Sequence, residues 1–393
     1  MKEIYLDAAS TAGYSEVDDI IVQTMTDAMK RYWMNPSSLY ASHVKEEIEK
    51  CRVNIAKFIN AEPNEIYFTS GASESNNWAI RGWSECHEKN FIISTSMEHK
   101  SISKCIDSVW QVEQNAGSIY CSNDEYGMVD LNDLEDCIGI GNIGYISPIL
   151  VSVCMANNEI GTVQHIKMIS DLVHKHDVTL HVDATQAFGH IPIDVKKLGI
   201  DMMSVSGHKL SPVLKGIGFL YKKDGIKIAP LIYGNQESGL RGGTENTFGI
   251  IGLNKAVEYC DVSNEAVEEM INKADYFINL LETKFGCKLN GHADFRLPNN
   301  INVTFPQNIT GESLLYMLEM SGIYIATGSA CNSSSIEPSH VLMAIGLTNE
   351  EAMRTVRFTL PNDITYEDID YVVEEIDKAL KLIELEGDDR DEL

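Results

Sequence analysis

The stretch from residue 179 to residue 209 reads TLHVDATQAFGHIPIDVKKLGIDMMSVSGHK and contains two short apolar runs. The first, TLHVD (179–183), ends in Asp183, and the second, MMSVS (202–206), is followed directly by Gly-His-Lys. Short runs rich in β-branched residues between turn signals are typical of buried strands. Both runs are therefore predicted to be strands, and each is followed by polar residues that could carry chemistry.

Similar runs alternate with helical periodicities through most of the first 250 residues, which predicts βαβ units and a largely parallel sheet. A helix over about 165–176 is predicted by apolar residues on one face, and a long helix is predicted after Glu245. The other candidate strands are IYF (66–68), FIIST (91–95) and ILVSV (149–153).

Beyond about residue 285 the order of elements changes, which predicts a second and smaller lobe. An amphipathic helix starting at Thr365 ends this lobe, and ELEGDDRDEL (384–393) is predicted to be a solvated acidic tail. The remaining predictions are strands at 300–305 and 323–327 and helices from Glu312 and Pro338.

The composition bounds the protein class. A chain of 393 residues is longer than a domain with a single hydrophobic core usually is, so two lobes are expected. The net charge of −27 argues against nucleic-acid and membrane partners. Nine cysteines without a C-x-x-C pair fit neither a disulfide framework nor a metal cluster, so no metal site is predicted. No signal peptide or membrane span is apparent, and a cytoplasmic location is expected.

Lys209 follows a predicted buried strand, where burial would lower the pKa of its amine. A neutral amine can form a Schiff base with a carbonyl group. The alternative is a surface lysine on a loop.

Asp183 ends a buried strand, where a carboxylate is costly unless it meets a cation such as the protonated ring nitrogen of pyridoxal phosphate (PLP). Alternatively, Asp183 is a helix cap or a salt-bridge partner.

Two further segments carry candidate chemistry. In IYFTSGASESNN (66–77) a strand turns at Gly71 into a helix, whose free N–H groups suit a phosphate. In IATGSACNSSSIEPSHVL (325–342), Cys331 lies among small polar residues, which predicts an exposed thiol on a flexible loop. Such a thiol can reach a substrate and then a second protein, although a loop cysteine without function is the alternative.

Together these segments resemble the cysteine desulfurase family of fold-type I PLP enzymes, on the class V aminotransferase side, from Tyr5 to about Thr365. The resemblance implies an α/β large domain over 14–250, with a mainly parallel seven-stranded sheet flanked by helices. A smaller α+β domain would comprise 1–13 and 251–393, with the cysteine loop at about 325–337. The matching stretches are YLDAAST, NPSS, FTSGASESNN, EHKS, ANNEIGTVQ, HVDATQ, SGHK, GLRGGTEN, TGSACNSSSIEPSHVL and VRFTL.

The resemblance also implies residue roles. Lys209 would be the Schiff-base lysine, Asp183 the partner of the ring nitrogen, and Gln186 the donor to the phenolic oxygen. His99 would stack on PLP and carry a proton, and Cys331 would take the sulfur. The other implied cofactor residues are Ala72, Ser73, Asn157, Ser206 and His208, with Thr244 reaching the phosphate of the partner subunit. Arg357 would bind the substrate carboxylate, assisted by Asn35 and Asn157.

The implied reaction converts L-cysteine to alanine and leaves a persulfide on Cys331. A sulfur-acceptor or scaffold protein would then take the sulfur for iron–sulfur cluster, tRNA or cofactor synthesis, and the active site would be shared in a homodimer. The turn at 210–216 is one residue longer than the family pattern. A selenocysteine lyase, a class V aminotransferase and a non-enzymatic sulfur-assembly scaffold are the alternatives.

Overall fold

The structure is a computed structural model that describes residues 3–87, 89–112, 116–142, 148–306, 309–327 and 338–391. Most of the predicted cysteine loop, including Cys331, lies outside the described residues. The helices are α1 (Glu16–Arg31), α2 (Ser42–Phe58), α3 (Ala72–Asn77), α4 (Trp83–Glu85), α5 (Lys100–Val112), α6 (Leu131–Asn142), α7 (Ile166–Lys175), α8 (Val195–Leu198), α9 (Thr247–Tyr259), α10 (Asn264–Phe285), α11 (Gly311–Met320), α12 (His340–Ala344), α13 (Asn349–Met353) and α14 (Tyr366–Asp391).

The strands form three sheets within this part of the chain. They are β1 (Ile4–Tyr5), β2 (Ile66–Thr69), β3 (Asn90–Thr95), β4 (Ala116–Cys121), β5 (Ile149–Cys154), β6 (Thr179–Asp183), β7 (Met202–Ser206), β8 (Gly218–Lys222), β9 (Lys288–Leu289), β10 (Asn300–Thr304), β11 (Ile323–Tyr324), β12 (Ala326–Thr327) and β13 (Thr355–Thr359).

The central sheet has the order β2-β8-β7-β6-β5-β3-β4, and only β8 runs against the other six strands. The predicted α/β fold with a mainly parallel seven-stranded sheet is therefore confirmed. The five strands predicted here from their apolar runs are all present. Two were not predicted, β4 and β8: β4 (AGSIYC) lacks a continuous β-branched run, and β8 begins at Gly218.

The smaller sheet is antiparallel, in the order β12-β13-β10-β9, and β1 pairs with β11 separately. The single strand predicted at 323–327 is thus wrong, because β11 and β12 belong to different sheets. The boundary predicted near 384 is also wrong, since α14 continues to Asp391. Residues 384–391 contain no proline, and a single glycine costs a helix only about 1 kcal/mol.

Two main hydrophobic cores support these sheets. The first lies against the central sheet and includes α9 as far as Val257, so the predicted domain boundary after residue 250 falls inside a helix of this core. The second joins β10 and β13 to α10, α11 and α14. The division into 14–250 and the remaining residues stays a prediction. No described helix is both long and apolar enough to cross a membrane.

The packing of the central sheet gives a stability prediction. Leu180 is fully buried in β6, so Leu180→Ala should lower the free energy of unfolding by about 2–5 kcal/mol through lost burial and a cavity. Leu382→Ala, on the exposed side of α14, should change it by less than about 0.5 kcal/mol. Urea unfolding checks both, and equal effects would contradict the assignment of Leu180 to the core.

Candidate active site

One edge of the central sheet collects most of the predicted site residues. The strands β2, β3, β5, β6 and β7 run parallel, so their carboxyl ends meet at this edge. Ala72, His99, Asn157 and Lys209 follow β2, β3, β5 and β7, and Asp183 is the last residue of β6. Residues separated by 137 positions in the sequence therefore lie around one cleft, as the sequence pattern required.

Asp183 is the last residue of β6, and only 6% of it is exposed. Its Oδ2 accepts a hydrogen bond from Asn76 Nδ2 at 2.8 Å. Its Oδ1 accepts one from the backbone N–H of Thr185 at 2.9 Å and another from the hydroxyl of Thr185. These neutral donors fix the orientation of the carboxylate and leave its charge to act on a cation above the sheet edge.

A second buried acid, Glu98, lies close to Asp183. Its Oε1 accepts hydrogen bonds from Thr95 Oγ1 at 2.9 Å and from the backbone N–H of Cys154 at 3.0 Å. Burial raises the pKa of Glu98 to about 8 against the opposing effect of these bonds, so at neutral pH this acid is mostly uncharged. Asp183 therefore does not share its site with a second full negative charge.

His99 lies beyond β3 with its ring at the surface of the cleft. Its Nδ1 is 2.8 Å from Ser101 Oγ and accepts the backbone N–H of Ser101 at 3.1 Å. Although the ring is exposed on one side, desolvation by the surrounding protein lowers its pKa. The charge of Asp183 opposes this effect, and Lys209 adds to it. The ring is accordingly neutral at physiological pH.

The segment from residue 7 to residue 12 crosses the cleft and contacts both Lys209 and Gln186. Lys209 Nζ donates hydrogen bonds to the carbonyls of Ala9 at 2.6 Å and Ser10 at 2.8 Å. Gln186 Nε2 donates to the same Ala9 carbonyl at 3.0 Å. The half-buried lysine and the glutamine thus converge on one carbonyl oxygen, which places them side by side.

Arg357, on β13, contacts the same segment from the smaller sheet. Its Nη2 donates to Asp7 Oδ1 at 2.5 Å and to Ser10 Oγ at 3.0 Å, and its Nη1 donates to the carbonyl of Asn158 at 2.8 Å. Its Nε is buried and has no hydrogen-bond acceptor among the described residues. The guanidinium plane is fixed, and part of its fork of donors remains for another carboxylate.

The turn from β2 into α3 forms a cradle between strand ends. Gly71 has φ +148°, and a side chain there would place its first carbon 3.3 Å from Ser206 Oγ. A side chain on neighbouring Gly218 would place its first carbon 2.3 Å from the carbonyl oxygen of Val205. α3 begins at Ala72, and because the first N–H groups of a helix have no partner within that helix, those of α3 can serve a ligand at this cradle.

His208 lies beside the cradle, where its Nδ1 is 3.2 Å from Thr11 Oγ1. Burial, together with the charges of Lys209 and Lys215, lowers the pKa of His208 to about 4. It is therefore a neutral hydrogen-bonding group at physiological pH.

An ion pair ties the cradle to the loop at 239–246. Arg241 Nε donates to Glu74 Oε1 at 2.8 Å, and Arg241 Nη2 donates to Glu74 Oε2 at 3.1 Å. Burial alone would raise the pKa of Glu74, but its bonds to Arg241 and Ser70 hold it below the usual value. Thr244 lies in this loop and is exposed.

Some predicted site residues are not joined to this network. Asn157 lies at the same sheet edge, but its side chain is buried: Nδ2 donates to the carbonyl of Met97, and Oδ1 accepts from the backbone N–H groups of Glu159 and Ile160. No hydrogen bond in the described chain joins Asn35 or Thr244 to the cleft, and both are exposed, as is the Ser73 side chain. The described residues contain no cluster of three metal-ligating side chains.

Residues 4–372 match the model of a family described as Aminotransferase class-V. The chain is 42% identical over 390 residues to Cysteine desulfurase IscS of Clostridium botulinum (strain Hall), covering 97% of this chain and 95% of the relative. It is also 42% identical to Cysteine desulfurase IscS of Methanosarcina thermophila over 386 residues, covering 97% and 92%. The chain belongs to the cysteine desulfurase family.

Solved structures agree with this family assignment. The structure of a "NIFS-LIKE PROTEIN" superposes with a TM-score of 0.86 at 31% identity, covering 97% of this chain and all of that chain. The structure of SspA in complex with cysteine superposes with a TM-score of 0.77 at 34% identity, covering 91% and 99%. The predicted family and the fold-type I architecture are confirmed.

The desulfurase family is a class of PLP-dependent enzymes, and the cleft can be tested for PLP on its own geometry. A glycine-lined cradle at a helix N-terminus suits a phosphate, because side chains are absent where an anion must approach the N–H groups. The buried Asp183 suits a cationic ring nitrogen. Gln186 and Lys209 lie side by side, where both could contact substituents of the ring. The residues present fit PLP.

Several residues of the cleft received no role from the sequence, although each stands in a quoted motif. Asn76 and Ser101 contact Asp183 and His99, while Asp7 contacts Arg357. The signal in the sequence that could have identified them is that polar residues follow strands ending at the same edge of the sheet. Their partners are fixed by the fold, and no local spacing reveals them.

The cradle generates a prediction about cofactor affinity. Gly71→Ala should weaken PLP binding about tenfold, because the backbone at φ +148° strains any other residue by about 1–3 kcal/mol and must shift the N–H groups. Gly225 also has a positive φ, +87°, but has open space around it, so Gly225→Ala should leave PLP affinity unchanged. Equilibrium dialysis with absorbance detection measures both. Equal affinity in the two variants would contradict the cradle.

Proposed function

We propose that this chain is an active cysteine desulfurase that uses PLP to remove sulfur from L-cysteine, stores it as a persulfide on Cys331 and releases alanine. The observation that carries the proposal is the convergence of Lys209, Asp183, His99 and Arg357 on one cleft. The similar SspA structure is a complex with cysteine, which supports L-cysteine as the substrate.

Asp183 would meet the ring nitrogen of PLP, Gln186 its phenolic oxygen, and the cradle with Ser206 and His208 its phosphate. Bound PLP supplies an electron sink for the bonds at the substrate Cα. Arg357 binds the substrate carboxylate through the donors that Asp7 and Ser10 leave available, which orients the amino group toward Lys209. Lys209 would then move the Cα proton.

The described cysteines support Cys331 as the nucleophile. Burial raises the pKa of Cys51, Cys105, Cys121, Cys260 and Cys287 to about 12. It also raises the pKa of the other three described cysteines, Cys86, Cys137 and Cys154. Each of these eight is thus held as a thiol, whereas the nucleophile must be a thiolate.

The sulfur transfer follows from this assignment. The Cys331 thiolate attacks the substrate sulfur, forming an S–S bond while the substrate Cβ–S bond breaks and its electron pair returns to the carbon skeleton. His99 would first accept a proton, for which its neutral ring is suited, and then pass that proton to the carbon to complete alanine. A sulfur-acceptor or scaffold protein would then receive the outer sulfur, for iron–sulfur cluster, tRNA or cofactor synthesis, in the cytoplasm.

A shared active site in a homodimer is part of the proposal. Large apolar side chains are exposed on the segment after α1, with Leu39 100%, Tyr40 76% and Trp33 67% exposed. Tyr233 is 78% exposed on the segment that leads to Thr244. Residues 36–37 and 235–238 line one cavity of about 550 Å³. An apolar surface of this kind, beside Asn35 and Thr244, suits a second copy of the chain.

The direct test is sulfide and alanine production from L-cysteine with PLP and a thiol reductant. The wild type should release both in equal amounts, and Cys331→Ser should lose both while retaining PLP. Alanine production that does not depend on Cys331 would indicate a lyase. No product despite bound PLP would favour an aminotransferase, and a protein that never binds PLP would indicate a scaffold.

The apolar segment generates a second prediction. Leu39→Asp should convert a dimer to a monomer, because it buries a charge in the proposed interface without a partner. Met320→Asp, on an exposed position of α11, should leave the mass unchanged. Light scattering after size exclusion measures the mass. A wild-type monomer, or a Leu39→Asp dimer, would refute this interface.

A further inference from the structure

Asn76, in α3, is a fully buried amide with 0% exposure that joins two parts of the cleft. Its Nδ2 donates one hydrogen bond to Asp183 Oδ2 at 2.8 Å and another to Ser101 Oγ at 2.9 Å. An amide nitrogen carries two protons, so both are used. One side chain therefore contacts the carboxylate in the cleft and the serine beside His99.

The orientation of this amide is dictated by its surroundings. An ionised carboxylate such as that of Asp183 only accepts hydrogen bonds, so the nitrogen of Asn76 must face it. The amide oxygen Oδ1 is left buried without a partner among the described residues, which costs free energy. The orientation of the Asn76 amide is therefore determined by the two hydrogen bonds that its nitrogen donates.

Ser101 transmits this arrangement to the imidazole of His99. Because Ser101 Oγ accepts from Asn76, its own proton is available for His99 Nδ1, 2.8 Å away. The backbone N–H of Ser101, which can only donate, points at the same nitrogen at 3.1 Å. With two donors at Nδ1, the neutral ring carries its proton on Nε2.

We propose that Asn76 is a positioning residue for the desulfurase reaction, because it sets the orientation of Asp183 and, through Ser101, the tautomer and protonation state of His99. This inference rests on the proposed function for the roles of Asp183 and His99. One amide then fixes both the orientation of the Asp183 carboxylate and the tautomer of His99. A change in one of them is therefore accompanied by a change in the other.

The effect of removing Asn76 on His99 has a definite sign. The titratable and charged groups that act on His99 include Asp183 on β6, Lys209 beyond β7, His340 on α12 and neighbouring Lys100. Without Asn76, Asp183 loses a donor, so its negative charge acts more strongly on the ring. The Ser101 oxygen also becomes free to accept a proton from Nδ1. Both changes favour the imidazolium form and raise the pKa of His99.

The experiment compares Asn76→Ala with Asn77→Ala in the full-length protein, with and without PLP. Nitrogen-15 NMR of labelled histidine gives the tautomer and the titration midpoint of His99, assigned with His99→Gln. In the wild type the Nε2–H tautomer is expected. In Asn76→Ala the midpoint should rise, and kcat should fall about tenfold at neutral pH with little change in KM. The acid limb of the kcat profile should move to higher pH.

Asn77 is a matched control because it is the next residue of the same helix. Its Nδ2 donates only to the backbone carbonyls of Ser73 at 2.8 Å and Ser101 at 3.2 Å, so Asn77→Ala should leave the His99 midpoint unchanged. If Asn76→Ala does not fold, Ser101→Ala keeps the bond from Asn76 to Asp183, removes the hydroxyl, and should raise the midpoint.

An unchanged His99 midpoint in the folded variant, or an equal rise in Asn77→Ala, would overturn the role of Asn76. The NMR titration needs no turnover, so this result is separate from a failure of the proposed function. A protein without desulfurase activity whose midpoint still rises in Asn76→Ala would refute the function and leave the coupling established.

Discussion

The parallel alignment of six strands is the constraint on which the site depends. Because these strands run in one direction, the chain must return through a crossover each time, and every carboxyl end arrives at the same edge. Ala72, His99 and Lys209 each follow such an end, and Asp183 is itself the last residue of β6. A chemical group placed just beyond any of these strands is delivered to the cleft, however far apart the strands lie in sequence.

Local sequence pattern predicted the elements well and their contacts poorly. The strands at 179–183 and 202–206 have the predicted bounds because both faces are buried, so a continuous apolar run marks them. Asn76 and Asn77 are adjacent and chemically identical, and only the helical rotation decides that the first faces Asp183. The family resemblance supplied roles for His99 and Arg357, yet gave no sign that Asp7 contacts that arginine.

Electrostatics explains why so many ionisable groups can share this cleft. Glu98 is mostly protonated at neutral pH, and His208, like His181 beneath the strand ends, has a pKa of about 4 because of burial. These groups act through hydrogen bonds, which leaves Asp183 as a charge whose orientation neutral donors maintain. Such an arrangement holds an anion in place without an ion pair that would compete with a bound cation.

β1 is held in place by residues that lie more than 300 positions later in the sequence. β1 pairs with β11, and the carbonyl of Leu6 accepts the backbone N–H of Thr359. Arg357 and Asp7 are 350 residues apart. At about 5–20 residues per second, ribosomes need roughly 20–70 s to span that interval. Until β13 emerges, the nascent chain therefore lacks Arg357, and the carboxylate site proposed for that arginine can form only after this late part of the chain has been translated.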